Sequence, residues 1–244
     1  MRMSNADRTG RKMDPGHESG NRYAGRSQMI QLHLEKSRAP YQVLCLGAHA
    51  DDIEIGCGGT ILRLLAGHSN LEFHWVVFSS TPERRKEAVR SADLFLQGAR
   101  KKAVVVKNFR NSFFPFVGGP IKEYFEKLKQ TVAPDLIFTH YRKDLHQDHR
   151  VICDLTWNTF RDHLVLEYEI PKYDGDLGSP NCFVDLDDSH CRSKIRHLMT
   201  AFKSQREKHW FTEDTFRGLM RLRGIECSAD GKYAEAFYCR KLRL

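Results

Sequence analysis

The sequence predicts an α/β protein built on a mostly parallel sheet. Three observations carry this reading. Short apolar runs alternate with amphipathic helical patterns from residue 42 to residue 163, the rhythm of strand–helix–strand units with right-handed crossovers. The first run breaks into a polar turn and then a glycine cluster, Gly56-Cys57-Gly58-Gly59, that opens a helix. The chain of 244 residues, 41% hydrophobic, is long enough for one such domain with a proper core.

Taken in order, residues 42–47 form the first strand, and Ile61, Leu62, Leu64 and Leu65 mark a helix that ends at Gly67. Leu71 to Ser79 is a second strand. Thr81 and Pro82 read as an N-cap and first helical residue, with a charged helix from Glu83 to about Gly98. Ala103 to Val106 is a third strand, followed by a binding-length loop at 108–119 and a helix at 120–132. Asp135 to Thr139 is a fourth strand. Asp144 reads as the N-cap of the next helix, with Gln147 as its capping-box partner. Later strands are expected at 164–169, 183–186 and 234–239, with helices from Asp188 or Ser189 to Lys203 and over 213–223. The segment 171–181 is a turn-rich loop expected, with the aromatic loop 109–116, to set selectivity. Residues 1–38 lack periodicity and are expected to form a basic, loosely attached extension, with Met29 an alternative start.

Composition narrows the class. The net charge of +8 admits nucleic acid as a partner, but much of the excess lies at the ends, in Arg2, Arg8, Arg11, Lys12, Arg22 and Arg26 and in Arg240, Lys241 and Arg243. No basic stripe interleaved with aromatics accompanies it, so nucleic-acid binding is not expected. The seven cysteines are scattered without a Cys-x-x-Cys pair, which argues against a disulfide framework and a thiolate zinc site. No apolar run is long enough for a membrane span and no signal peptide is recognisable, so a cytoplasmic location is expected.

Two clusters carry chemistry. The first, His49-Ala50-Asp51-Asp52-Ile53-Glu54, puts one imidazole and three carboxylates just after the first strand. The second, His146-Gln147-Asp148-His149, opens the helix after a later strand that ends at His140. In an open parallel sheet both face the carboxyl edge of the strands. Three acids beside a histidine are costly to bury without a partner, and a divalent metal satisfies them together. His49 and Asp52 offer two ligands from one loop, and His146 or His149 completes two imidazoles and a carboxylate. Whichever of Asp51 and Asp52 does not ligate is then available as a base. The other histidine, as imidazolium, is placed to stabilise an oxyanion and protonate a leaving amine, with Asp148 orienting one of the pair. Either cluster alone is ordinary decoration; together, at two strand ends, they are specific.

Ala48-His49-Ala50-Asp51-Asp52-Ile53-Glu54 with Gly56-Cys57-Gly58-Gly59-Thr60, followed by His146-Gln147-Asp148-His149, resembles the PIG-L (LmbE-like) family of metal-dependent N-deacetylases. The resemblance covers roughly residues 40–240 and departs from the common family pattern at Ala50, more often proline. It implies a Rossmann-like three-layer α/β/α fold, a single deacetylase domain over 39–244, and one zinc ion per chain. The substrate it implies is a small-molecule N-acetylated amino sugar or its conjugate. It further implies that His49, Asp52 and His149 bind zinc, that Asp51 is the general base, and that His146 stabilises the oxyanion or acts as acid, with support from Asp148. Arg85 resembles a substrate-contacting arginine, and Tyr233–Phe237 a segment that closes the site. Arginine at the site and the basic balance point to an anionic, nucleotide-linked or phosphorylated sugar. The rival readings are hydrolysis of another amide or a phosphoester, the latter wanting two metals, and nucleic-acid binding through the basic arm. Oligomeric state is not encoded in any recognisable pattern.

Overall fold

The first strand, β1 (Tyr41–Gly47), is buried on both sides from Val43 to Gly47, which places it at the centre of a sheet. The structure, a computed structural model, describes residues 39–243 together with Met29, Ile30 and Leu32. The expectations for the arm of residues 1–38 otherwise lie outside the described residues. Every described helix and strand belongs to the unit His33–Leu244.

β1 pairs in parallel with β2 (Leu71–Val77) on one side and β4 (Leu136–His140) on the other. β3 (Lys101–Val106) and β5 (Leu164–Tyr168) extend the parallel run outwards. β7 (Tyr233–Cys239) then adds antiparallel to β5, and β6 (Cys182–Leu186) antiparallel to β7. The sheet order is β3-β2-β1-β4-β5-β7-β6.

Strand side chains alternate between faces, and each face has its own core. Val43 and Cys45 join Phe73, Trp75 and Phe138 on one side. Leu44 and Leu46 join Val76, Phe78 and Ile137 on the other. The first core is covered by α1 (Asp52–Gly67), α2 (Pro82–Phe95), α5 (Asp188–Ala201) and α6 (Glu213–Glu226). The second is covered by α3 (Gly118–Thr131) and α4 (Gln147–Thr159). This is the expected three-layer arrangement. As expected, Thr81 caps α2, accepting the Arg84 N–H at 3.3 Å, with Pro82 in the first turn. Two caps differ from expectation. Asp187 caps α5, and His146, not Asp144, caps α4 by accepting the Asp148 N–H at Nδ1.

The glycine cluster serves close packing. A Cβ on Gly59 would lie 2.6 Å from Leu186 Cδ1 and 3.0 Å from Glu235 Oε1. That space lets the Glu235 carboxylate accept the Gly59 and Thr60 backbone N–H groups at 2.8 and 2.6 Å, while Lys194 pairs with it at 2.6 Å. The late segment around Glu235 therefore pins α1 from the sheet.

Candidate metal centre

The site lies where β1 and β4 leave the sheet. These strands are neighbours, yet β1 continues into α1 on one face and β4 into α4 on the other. This is the topological switch point at which open α/β sheets bind ligands. The short turn after β1 brings His49, Asp51 and Asp52. The longer connection after β4 brings Asp144, His146, Asp148 and His149.

Three of these residues bring donors close together, each imidazole facing a different oxygen of Asp52. His49 Nδ1 is 3.1 Å from His149 Nε2 and 3.4 Å from Asp52 Oδ2. His149 Nε2 is 3.6 Å from Asp52 Oδ1. Two ligands about 2.0–2.1 Å from one zinc ion at a tetrahedral angle stand roughly 3.3–3.4 Å apart, so the spacing fits donors that share an ion. The outer nitrogen of each imidazole faces a carboxylate. His49 Nε2 is 3.2 Å from Asp148 Oδ2, and His149 Nδ1 is 2.9 Å from Asp144 Oδ2. A proton on each outer nitrogen leaves both inner lone pairs directed at Asp52 and at each other. Such a cluster could hold a cation between its members, and the carboxylate–histidine pairing is the usual backing of metal-bound imidazoles.

The backing is itself built. Asp148 accepts the backbone N–H groups of Ser112 at 2.6 Å and Phe114 at 3.1 Å. Ser112 adopts a left-handed φ of 64° to present its amide. Asp144 accepts the His146 N–H at 2.8 Å through its other oxygen. His140, wholly buried at the end of β4, stacks on His149 with ring centroids 3.9 Å apart and lies 3.2 Å from Asp52 Oδ2. Among the described residues, the donor sets compact enough to hold one ion with one atom from each residue are His49, His146 and His149, and Asp52, His140 and His149.

Electrostatics shows what the site does without an ion. Burial opposes charge on His49, but Asp52 and Asp148 outweigh it and raise its pKa to about 10. Burial, followed by the neighbouring His140, lowers His149 to about 3. Asp52, despite burial, is held well below the usual carboxylate range by His149, His140 and His49. One proton, on His49, thus offsets the charge of Asp52. His146 is lowered by burial and by the charge of His49, so it is a neutral imidazole, contrary to the imidazolium expected. Its Nδ1 accepts the Asp148 N–H at 3.2 Å, which places its proton on Nε2.

The remaining expectations fare unevenly. Asp51 is buried next to the centre, with Oδ1 2.8 Å from Arg84 Nη2. The Asp148 carboxylate meets His49; only its backbone N–H meets His146. Arg85 donates to the Val106 carbonyl, and it is Arg84 that reaches Asp51 and also bonds Glu87 at 3.0 Å. Sequence reasoning missed Asp144, His140 and Arg84 as site residues. The Arg84–Glu87 spacing of three and the carboxylate five residues before His149 were the available signals.

Comparison with known proteins agrees with this geometry. Residues 44–160 match the model of a family described as PIG-L, GlcNAc-PI de-N-acetylase. That stretch, just under half of the chain, is similar to the PIG-L family. The match spans both arms of the metal centre, from β1 to the end of α4. Solved structures share the fold. N,N'-diacetylchitobiose deacetylase from Pyrococcus horikoshii is 21% identical, with a TM-score of 0.61 over 81% of this chain and 83% of that one. The 4-carboxy-2-hydroxymuconate hydratase of Pseudomonas putida KT2440 is 17% identical, with a TM-score of 0.67 over 84% and 98%. A zinc-inhibited form of teicoplanin deacetylase is 13% identical, with a TM-score of 0.60 over 81% and 97%. Among the described residues, no helix is long and apolar enough to cross a membrane.

Proposed function

We propose that the chain is a zinc-dependent hydrolase that removes the N-acetyl group from an amino sugar or sugar conjugate. The observation that carries this reading is the convergence of His49 Nδ1, Asp52 and His149 Nε2, each imidazole backed by a carboxylate. The fold alone does not choose the reaction, since one relative is a hydratase. The family match and the deacetylases among the structural relatives favour amide hydrolysis on a sugar.

In this reading His49, Asp52 and His149 hold the ion. When bound, it polarises the amide carbonyl and makes water a nucleophile near neutral pH. Asp51 takes the proton from the attacking water. Its Oδ1 is tied to Arg84 at 2.8 Å, which leaves the second oxygen for that proton. His146 donates its Nε2–H to the carbonyl oxygen as negative charge develops there, an interaction strongest in the transition state. Asp51 then returns the proton to the departing amine, so that amide and water yield acetate and a free amino sugar. Asp148 and Asp144 orient His49 and His149. Arg84 acts by positioning Asp51.

Arg84 and Arg85 are both engaged by the protein, so the anionic-sugar expectation rests on the basic charge balance. The test is acetate release from a panel of N-acetylated sugars, free and nucleotide-linked. Release that vanishes with chelator and returns with zinc supports the reading. Metal-loaded protein that releases no acetate from any of them refutes the sugar assignment.

A further inference from the structure

The segment 171–181 has no helix or strand, yet it is fastened along its length. The Lys172 side chain is buried, with Nζ 3.1 Å from Asp144 Oδ2, and it also pairs with Asp176. Asp176 Oδ2 accepts the Leu145 backbone N–H at 2.7 Å. Further on, Arg223 donates to the Gly178 carbonyl at 3.1 Å while gripping Glu169 at 2.9 and 2.7 Å. Asn181 closes the run, donating to the Phe237 carbonyl at 3.0 Å and accepting the Cys239 N–H at 2.8 Å. Such a segment is a strap across the connection between β4 and α4. It does not have the free span that a lid over the substrate needs.

We propose that Lys172 and Asp176 are positioning residues for the metal centre: they fix Asp144, and through it His149. The inference rests on the reading of His149 as a metal ligand. Asp144 Oδ2 is shared by His149 Nδ1 at 2.9 Å and Lys172 Nζ at 3.1 Å, while Oδ1 takes the His146 N–H at 2.8 Å. All three directions of the carboxylate are therefore set, and Lys172 supplies the one that comes from outside the ligand-bearing connection. Asp144 and Asp176 are both buried, with side chains 3% and 6% exposed, and Lys172 is the cation between them. Its removal leaves two buried carboxylates facing each other, a costly arrangement that resolves by moving one away. Either movement releases the strap or turns Asp144 off His149. Outer partners of metal-bound histidines typically set metal affinity by about 10–100-fold. Here that influence extends one layer further, to a residue that touches neither ion nor substrate.

The test measures zinc affinity by chelator competition, and the Tm of the metal-free protein, for the full chain. Lys172→Met is expected to weaken zinc binding about tenfold. The same change made on an Asp144→Asn background is expected to alter affinity less than about twofold, because the route through Asp144 is already cut. Asp176→Asn, which keeps an acceptor for the Leu145 N–H but no charge for Lys172, is expected to weaken binding in the same Asp144-dependent way and decides the matter if Lys172→Met does not fold. Zinc affinity within twofold of wild type in these variants overturns the inference. So does an equal loss with and without Asp144, or a loss fully matched by a lower Tm of the metal-free protein. Wild-type protein that binds no zinc overturns the metal reading itself, a separate and recognisable failure.

Discussion

Zinc binding should expel one proton, and the structure says from where. In the metal-free centre His149 is neutral and Asp52 ionised, so neither has a proton to lose. His49 carries one, with a pKa raised to about 10 by Asp52 and Asp148 against the effect of burial. An ion that takes Nδ1 must remove it. Below pH 10 the metal-free form holds the proton, so apparent zinc affinity rises as pH rises, about tenfold per pH unit. At pH 7 the proton is three units below its pKa, and displacing it costs about 4 kcal/mol of apparent affinity. Calorimetric titration of zinc into metal-free protein at pH 6.0, in two buffers of different ionisation enthalpy, counts the protons released. That pH lies below the range in which water on the ion ionises. A value close to one supports the donor set. A value near zero, with affinity flat in pH, refutes His49 as the ligand.

The base and the structural acids give further expectations. Asp51→Asn should keep zinc at one equivalent per chain and lower kcat about 10²–10⁴-fold, read by metal analysis beside acetate release; loss of zinc would exchange its role with that of Asp52. Arg84→Met should leave zinc affinity near wild type and lower kcat more than it changes KM, because the Asp51 carboxylate loses its 2.8 Å partner. Burial pushes buried Glu54 up to about 8, the nearby Ser91 hydroxyl only partly opposing it. The folded protein then holds one more proton than the unfolded chain between about pH 4.5 and 8, so stability falls as pH rises through that window and levels off above it. Glu54→Gln should remove that slope and gain several kcal/mol over wild type at pH 8, on the order of 1.4 kcal/mol per pH unit crossed; equal urea stabilities at pH 5 and pH 8 for the two proteins would sink this.

What was legible in the sequence was local. The alternation of apolar runs with amphipathic patterns fixed the parallel half of the sheet, because burial on both faces writes itself into consecutive residues such as Val43 to Leu46. The two clusters were visible because each occupies one strand end. What connects distant residues was not visible. Arg84 and Arg85 are adjacent on α2 but about 100° apart around it. Only the packed structure tells which faces Asp51 and which the end of β3. Asp148 stands beside both histidines of its own cluster in sequence, yet its carboxylate pairs with His49, 99 residues away. Asp144 looked like a cap because an acid just before a helix can satisfy amides at its start. It does take the His146 N–H, but its other oxygen holds His149. The reversed direction of β7, between β5 and β6, likewise depends on which sheet edge is free when the chain returns.

The central claim is that one ion sits among His49, Asp52 and His149. It is tested most directly by the anomalous scattering of zinc-loaded crystals at the zinc edge. The account predicts a single peak per chain about 2.0–2.1 Å from His49 Nδ1, His149 Nε2 and an Asp52 oxygen. A peak on His140 or His146 in place of His49, or no peak in protein that hydrolyses its substrate, would contradict it.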